Sequence, residues 1–146
     1  RINIATCSVG TAQRAIQDAT AYVQERKQFD TAIADFQNTQ FRLADMLTEL
    51  VAARQMIRLA ASKLDNQDPQ ATTYCAMAKR FATDVGFTVC NDALQLLGGY
   101  GYIKEYPMER YVRDTRVHQI LEGTNEIMRV IVGRKLLMDG ALEVIQ

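Results

Sequence analysis

The sequence predicts an all-α protein, folded as an antiparallel four-helix bundle. Only two prolines and eight glycines occur among the 146 residues, so few positions interrupt a helix. Apolar residues recur at spacings of three and four, and valine and isoleucine do not form the alternating runs that are typical of strands. We therefore expect no strand, and a chain of this length predicts a single domain over residues 1–146.

The first two predicted helices are long. The first extends over Ile2–Gln28 and carries an apolar stripe rich in small residues, which permits close packing against another helix. A break follows at Phe29–Asp35, and the second helix extends over Asn38–Leu64. Asp65–Pro69 then forms a turn, in which Asp68 is expected to cap the third helix because a first helical turn accepts proline.

The third helix is expected to end at Leu97, because Gly98-Gly99 can adopt left-handed backbone conformations without a Cβ penalty. A loop or short helix is predicted for Tyr100–His118. The fourth helix begins near Thr124 or Asn125 and continues to about residue 138. Short connections between these helices favour antiparallel neighbours.

Composition excludes several classes of protein. Lys and Arg total 17, as do Asp and Glu, and no basic run is present, so we expect no binding to nucleic acid or anionic lipid. No apolar run approaches the roughly 20 residues of a membrane span. Three cysteines without CxxC spacing and a single histidine predict no metal site and favour a reducing compartment. The chain begins with Arg1 and a helical pattern at once, so we expect it to be part of a longer protein.

Candidate chemistry lies between Val112 and Arg134, where polar and charged residues surround a glycine. Glu122 precedes a predicted helix N-terminus, where free backbone N–H groups favour an anionic or electron-rich ligand. Alternatively, Glu122 and Glu126 simply favour the positive end of the helix dipole. Periodicity leaves both interpretations open, and His118 is expected to be structural.

Four sequence segments resemble the C-terminal domain of acyl-CoA dehydrogenases, in the order and spacing of that family. The similarity extends from Arg1 to about residue 138, and the segments are Glu25–Phe29, Phe36-Gln37, Gln95–Tyr102 and His118–Arg129. The resemblance implies a helical-bundle domain of a larger enzyme, whose N-terminal helical and middle β domains are absent from this chain. It further implies FAD-dependent α,β-dehydrogenation of an acyl-CoA thioester. Within the family, the sequence most resembles the members that act on isobutyryl-CoA and short branched-chain acyl-CoA.

The resemblance also implies roles for individual residues. Glu122 matches the base that removes the α-proton. The positions matching FAD contacts are Arg26, Phe29, Gln37, Gln95, Leu96, Leu97, Gly98, Gly99, Thr124, Asn125 and Glu126. Arg1, Gly123 and Arg134 match positions on the substrate side. The segment from Gln95 to Gly99 is expected to lie along the FAD of a neighbouring subunit.

The implied partners follow from the same resemblance. We expect a homo-oligomer, a dimer of dimers with FAD at the subunit interface, and electron transfer to an electron-transferring flavoprotein. The expected location is the cytoplasm in a bacterium or the mitochondrial matrix in a eukaryote. The isolated domain is expected to be inactive, because water would reach the base without the missing domains.

Two departures from the family pattern stand out. Asp30 occupies a position where the family often has glycine, which leaves open whether a carboxylate there disturbs the turn or a nearby flavin phosphate. Asn125-Glu126 replaces a Ser-Gln type of pair. Some family members take their base from the first helix, just before the position of Arg1, but Glu122 argues against those subtypes. An acyl-CoA oxidase and a non-catalytic helical oligomerisation domain remain as alternatives.

Overall fold

The computed structural model of the protein describes residues 1–139. Over that range the chain forms six α-helices, one short 3₁₀ helix and one two-stranded β-hairpin. The elements are α1 (Ile2–Glu25), β1 (Lys27–Gln28), β2 (Thr31–Ala32), the 3₁₀ helix (Ile33–Asp35), α2 (Gln37–Asp65), α3 (Ala71–Leu97), α4 (Gly99–Tyr102), α5 (Met108–His118) and α6 (Asn125–Asp139). The predicted helical-bundle class is confirmed.

Helix α3 lies at the centre and packs against α1, α2, α5 and α6. The interface between α1 and α3 is built from small residues, because Ala5, Ala12, Ala15 and Ala19 are fully buried on α1. At the closest approach, a Cβ added to Gly86 would lie 2.8 Å from the Cβ of Ser8. Small side chains at the crossing therefore allow the two helices to pack closely.

Contacts between the long helices fix their directions. Arg42 near the start of α2 pairs with Asp92 near the end of α3, with 3.0 Å between Nη1 and Oδ1. Further along α2, Arg54 donates to Gln13 of α1 over 2.8 Å, and Ile2 packs beside Ala60. Helix α2 is therefore antiparallel to both α1 and α3, as the short connections predicted.

The prediction that the first helix reaches Gln28 is wrong, as is the prediction of no strand. Arg26 is extended, and Lys27–Gln28 pairs with Thr31–Ala32 in an antiparallel hairpin. Phe29 and Asp30 form its turn with φ angles of 55° and 59°, both in the left-handed region that two-residue hairpin turns of type I′ require. The turn forms with Asp30 in place of glycine, because aspartate tolerates this conformation better than most residues.

The third helix begins at Ala71, so the prediction that Asp68 caps it directly needs correction. Asp68 instead holds the preceding turn. Its Oδ1 accepts from the backbone N–H of Gln70 over 2.7 Å, and its Oδ2 pairs with Lys63 at 2.7 Å. These two contacts lower the pKa of Asp68, with Lys63 as the larger cause.

The end of α3 and the last helix agree with the predictions. Gly98 follows Leu97 with a φ of 59°, which explains the stop. The stretch predicted as a loop or short helix contains α4 and α5, and α6 begins at Asn125. No helix within residues 1–139 is long and apolar enough to cross a membrane.

Candidate active site and cofactor groove

Glu122 lies in the turn between α5 and α6, on a strained backbone. Its φ is 55°, a left-handed conformation that is uncommon for a residue other than glycine, and Gly123 follows with a φ of 93°. Strained conformations of this kind cluster at functional sites, since the surrounding structure must hold them. The Glu122 side chain is 41% exposed in this domain.

The beginning of α1 lies beside Glu122. Glu122 Oε2 is 2.6 Å from the backbone nitrogen of Arg1. Arg1 and Gly123 therefore lie in the same small region as Glu122. Arg134 lies apart from them, exposed on α6 nine residues after its first residue.

Lys79 of α3 lies directly under this turn and is completely buried. Its Nζ donates to the carbonyl oxygens of Gln119 (3.2 Å) and Gly123 (2.8 Å) and to Oδ1 of Asn125 (2.8 Å). Burial lowers the pKa of Lys79, while the negative charges of Asp84, Glu122 and Glu126 oppose that shift. The turn that carries Glu122 is therefore attached to the centre of the bundle.

Asn125 belongs to the same buried network. Its Nδ2 donates to Asp84 Oδ1 (2.7 Å) and Thr83 Oγ1 (2.9 Å), and only 3% of the residue is exposed. Asp84 also accepts from Gln119 Nε2 over 2.8 Å. The Asn125 side chain therefore faces the interior and forms its hydrogen bonds there. The other residues of this segment that were predicted to contact FAD do not.

Thr124 and Glu126 lie at the outer side of the first turn of α6. Thr124 Oγ1 accepts from the backbone N–H of Ile127 over 3.4 Å, a long capping bond. The pKa of Glu126 is lowered, first by its own backbone N–H and then by the Thr124 hydroxyl. Both groups are placed where α6 presents free N–H groups.

A groove of about 490 Å³ lies at the opposite end of the bundle, between the end of α1 and the α3–α4 junction. It brings together six residues that were predicted to contact FAD, although they come from two distant segments. These are Arg26, Gln95, Leu96, Leu97, Gly98 and Gly99. The remaining walls come from Tyr22, Gln28, Ile33, Tyr100 and Ile103, so the lining is mainly apolar.

Aromatic rings organise the groove. Tyr22, Tyr100 and Tyr106 form a cluster with ring centroids 5.5 to 6.2 Å apart. The guanidinium of Arg26 lies 5.4 Å from the centroid of Tyr100, a distance suited to a cation–π contact. Gly98 leaves open space where a Cβ would be, so a ligand can approach the backbone closely.

Phe29 and Gln37 are not part of the groove lining. Phe29 is 90% exposed at the tip of the hairpin, and Gln37 is exposed at the first position of α2. Both are close to Arg26 in the sequence, in or just after the break between α1 and α2. Their side chains are free to contact another molecule.

The Glu122 turn and the groove are far apart within one chain. Glu122 contacts Arg1 at the start of α1, whereas Tyr22 and Arg26 line the groove at its end. Helix α1 has 24 residues, which at about 1.5 Å each spans roughly 36 Å. The two regions therefore lie at opposite ends of the bundle.

Sequence reasoning missed the network under Glu122. Lys79 and Thr83 are four residues apart and share one face of α3 with small residues such as Ala82 and Gly86, and Asp84 follows Thr83. Polar groups on an otherwise small-residue face are the signal that would have indicated buried partners. The tyrosine cluster was also missed, because its members come from three separate elements.

The cysteines are unpaired, and the most deeply buried of them has a strongly shifted pKa. Burial raises the pKa of Cys90 to about 12, so its thiol is unreactive at neutral pH. Cys7, Cys75 and Cys90 are all free. Among residues 1–139, no cluster of three or more His, Cys, Asp or Glu side chains is arranged to hold a metal ion.

Known proteins resemble this chain over almost all of its described residues. The family model described as acyl-CoA dehydrogenase, C-terminal domain, matches residues 1–137. The mitochondrial isobutyryl-CoA dehydrogenase of Bos taurus is 53% identical over 139 residues, which cover 95% of this chain and 33% of that protein. The caffeyl-CoA reductase-Etf complex subunit CarC of Acetobacterium woodii is 45% identical over 137 residues, covering 94% and 36% respectively.

A solved structure shows the same fold. Butyryl-CoA dehydrogenase from Megasphaera elsdenii superposes with a TM-score of 0.91 and 42% sequence identity, covering 94% of this chain and 36% of that one. The helical fold of this chain is thus shared with that butyryl-CoA dehydrogenase. The chain belongs to the acyl-CoA dehydrogenase family and corresponds to its C-terminal domain. It spans about a third of the length of the relatives it matches.

Proposed function

We propose that this chain is the C-terminal domain of an enzyme that oxidises a short or branched acyl-CoA to the enoyl-CoA, with Glu122 as the base. The observation that carries the proposal is the Glu122 turn itself. A carboxylate is held on a strained backbone next to Gly123, where a substrate can approach closely.

The proposed reaction breaks two C–H bonds. The α-proton is transferred to the Glu122 carboxylate, the β-hydrogen leaves as hydride, and the remaining electron pair forms the C=C bond. FAD, when bound, supplies the hydride acceptor. The base must lie within hydrogen-bond reach of the α-carbon proton, and exclusion of water by substrate and the missing domains would increase its basicity.

The residues of the groove fit FAD. Arg26 offers planar, paired N–H donors suited to a diphosphate, and the apolar and aromatic walls suit the flat rings of the cofactor. Gly98 provides backbone access through its positive φ. Arg26 and the segment Gln95–Gly99 would hold the cofactor in this groove. Phe29 and Gln37 would contact the cofactor from outside the groove lining.

The positions of the groove and Glu122 at opposite ends of α1, a helix roughly 36 Å long, support an arrangement in which one FAD contacts two chains. The groove of one copy would then complete the site that contains Glu122 of another. This favours a homo-oligomer, proposed as a dimer of dimers, since closed symmetric assemblies satisfy such a shared interface. Thr124 and Glu126 would contact the FAD on the Glu122 side.

Substrate and electron acceptor are proposed from the relatives. The identity of 53% to an isobutyryl-CoA dehydrogenase supports isobutyryl-CoA as the substrate. The similarity to a subunit of an Etf complex supports electron transfer to an electron-transferring flavoprotein. The proposed location is the mitochondrial matrix in a eukaryote and the cytoplasm in a bacterium.

The test is an activity assay of the full-length protein with isobutyryl-CoA, using either an artificial electron acceptor or oxygen. We expect dye reduction in the wild type and a loss of at least about a hundredfold in Glu122→Gln, which keeps size and shape but removes the base. Glu49→Gln, on the exposed face of α2, is the control. Fast turnover with oxygen would instead indicate an oxidase, and undiminished activity of Glu122→Gln would leave a non-catalytic oligomerisation role for this turn.

A further inference from the structure

Lys79 is a buried cation that the proposed reaction does not use. No part of it is exposed, although lysine is among the residues least often fully buried. Its three hydrogen bonds go to two backbone carbonyls and to the side chain of Asn125, rather than to a carboxylate. Such a costly arrangement requires a compensating function or strong local bonding.

The three acceptors of Lys79 flank Glu122 on both sides. Gln119 lies three residues before it, Gly123 is the next residue, and Asn125 begins α6. The backbone N–H of Asn125 also donates to the Gln119 carbonyl over 3.0 Å, which closes the turn. Lys79 therefore fastens both ends of the segment in which Glu122 has its positive φ.

The geometry requires the charged form of Lys79. An ammonium group has three N–H donors, and each of the three acceptors takes one. A neutral amine has two donors, so one acceptor would face its lone pair. Burial lowers the pKa of Lys79, but the negative charges of Asp84, Glu122 and Glu126 counteract this effect.

We propose that Lys79 is a positioning residue that fixes the Glu122 carboxylate relative to the α-carbon of the substrate. This inference rests on the proposed function of Glu122 as the base. Lys79 acts through the backbone of residues 119–125 and bonds neither the Glu122 carboxylate nor the substrate. Asn125 serves the same purpose, because its amide links Lys79 to Thr83 and Asp84 on α3.

The expected effect of removing Lys79 is on the chemical step. Without the ammonium, the acceptors at 119, 123 and 125 lose their donor, and the turn can relax from its strained conformation. A displacement of about 1 Å of a reacting group costs on the order of a hundredfold in rate. Binding of acyl-CoA should change little, since Lys79 is completely buried and is not exposed to a substrate.

The test compares Lys79→Met with Lys63→Met in the full-length flavoprotein. Methionine keeps the length of the side chain and removes the donors. Lys63 is a suitable control because it also has specific partners, Asp68 at 2.7 Å and the ring of Tyr74 at 5.0 Å, at the turn between α2 and α3. The measurements are kcat, KM, the kinetic isotope effect with α-deuterated isobutyryl-CoA, and amide hydrogen exchange of residues 119–125.

For Lys79→Met we expect kcat to fall by about a hundredfold with KM nearly unchanged. The isotope effect should increase, because proton abstraction becomes more rate-limiting, and residues 119–125 should exchange faster. Lys63→Met should retain the wild-type kcat, isotope effect and exchange. A Lys79→Met protein that melts at a lower temperature but keeps wild-type kcat and isotope effect would overturn the proposal, since Lys79 would then only stabilise the fold.

A second variant covers the case in which Lys79→Met does not fold. Asn125→Ala leaves Lys79 in place and removes one of its acceptors, so kcat and exchange protection should change in the same direction by a smaller factor. Unchanged values would overturn the positioning role. If Glu122→Gln is as active as the wild type, both the proposed function and the positioning role fail. If Glu122→Gln is inactive but Lys79→Met behaves as the wild type, the proposed function is retained and only the positioning role fails.

Discussion

Glu122 owes its position to residues that are distant in the sequence. Polar residues around a glycine before a predicted helix drew attention to its segment, and the resemblance of His118–Arg129 to the family implied its role. The network beneath it could not be predicted, because burial of Lys79 depends on how α3 packs against the α5–α6 turn. Local patterns reveal which residues can do chemistry, whereas tertiary packing decides which residues hold them in place.

His118 couples α5 to α1 near the same turn. Its Nδ1 lies 2.8 Å from Ser8 Oγ, and the ring is half-buried. Burial lowers the pKa of His118, with a further contribution from Lys79, while Asp114 opposes it. The expectation of a structural histidine is consistent with this contact, although its role remains a prediction.

The lowered pKa of His118 predicts how stability depends on pH. The folded state binds a proton less readily than the unfolded state, whose histidine pKa is about 6.5. The stabilisation is therefore present above that pH and is lost as the pH falls through 6.5 toward the lower folded-state pKa. We expect the melting temperature of the wild type to fall more than that of His118→Gln between pH 7.5 and 5.5, measured by calorimetry. Parallel curves for the two proteins would contradict this prediction.

At the scale of the elements, the long helices were predictable and the hairpin was not. Apolar spacing and turn residues located α2, α3 and α6 to within a few residues. The strands of the hairpin have two residues each, too short for any alternation to appear. Its turn, Phe29-Asp30, also lacks the glycine that usually indicates a type I′ turn.

The crossing of α1 and α3 depends on Gly86. A Cβ at this position would lie 2.8 Å from Ser8 Cβ and 3.1 Å from the Ser8 carbonyl oxygen, so the backbone of α1 would have to move. We expect Gly86→Ala to destabilise the protein by about 1–3 kcal/mol, because overpacking outweighs the better helix propensity of alanine.

Gly10→Ala is the matched control for Gly86→Ala. Gly10 lies within α1 and has open space around a Cβ, so alanine should stabilise it by up to about 1 kcal/mol. Thermal unfolding of both variants measures the difference. Equal effects of the two substitutions would show that the crossing tolerates a larger side chain.

At the scale of the whole molecule, the domain leaves much of its apolar surface uncovered. The outer side of α2 exposes Phe41, Leu47, Val51 and Leu59 by 44% to 58%. Exposed apolar patches of this kind are typical of subunit interfaces. They agree with the proposed oligomer, in which the groove and Glu122 of one chain belong to different sites.

Shared sites predict complementation between two inactive variants. A Glu122→Gln chain keeps its groove, and an Arg26→Glu chain keeps its base. In a mixed dimer, one of the two sites combines both intact parts. Co-expression with random pairing should restore activity in about a quarter of all sites, measured as kcat per chain relative to wild type. Restoration should be absent when the two variants are purified separately and mixed without dissociation.

Sites formed within a single chain would give no complementation. If the groove and Glu122 of the same chain formed one site, mixed dimers would contain no intact site, and co-expression would recover no activity. Arg54→Glu is the control for Arg26→Glu, because Arg54 contacts Gln13 far from the groove lining. That chain should be active by itself.

The proposed reaction is tested most directly by mixing the full-length flavoprotein with isobutyryl-CoA in the absence of oxygen and following the loss of flavin absorbance. We expect rapid bleaching in the wild type, slower bleaching with butyryl-CoA and isovaleryl-CoA, and a rate at least about a hundredfold lower in Glu122→Gln. Bleaching at the wild-type rate in Glu122→Gln would contradict the account, and the base would then have to be sought beside Arg1, where α1 begins next to the same site.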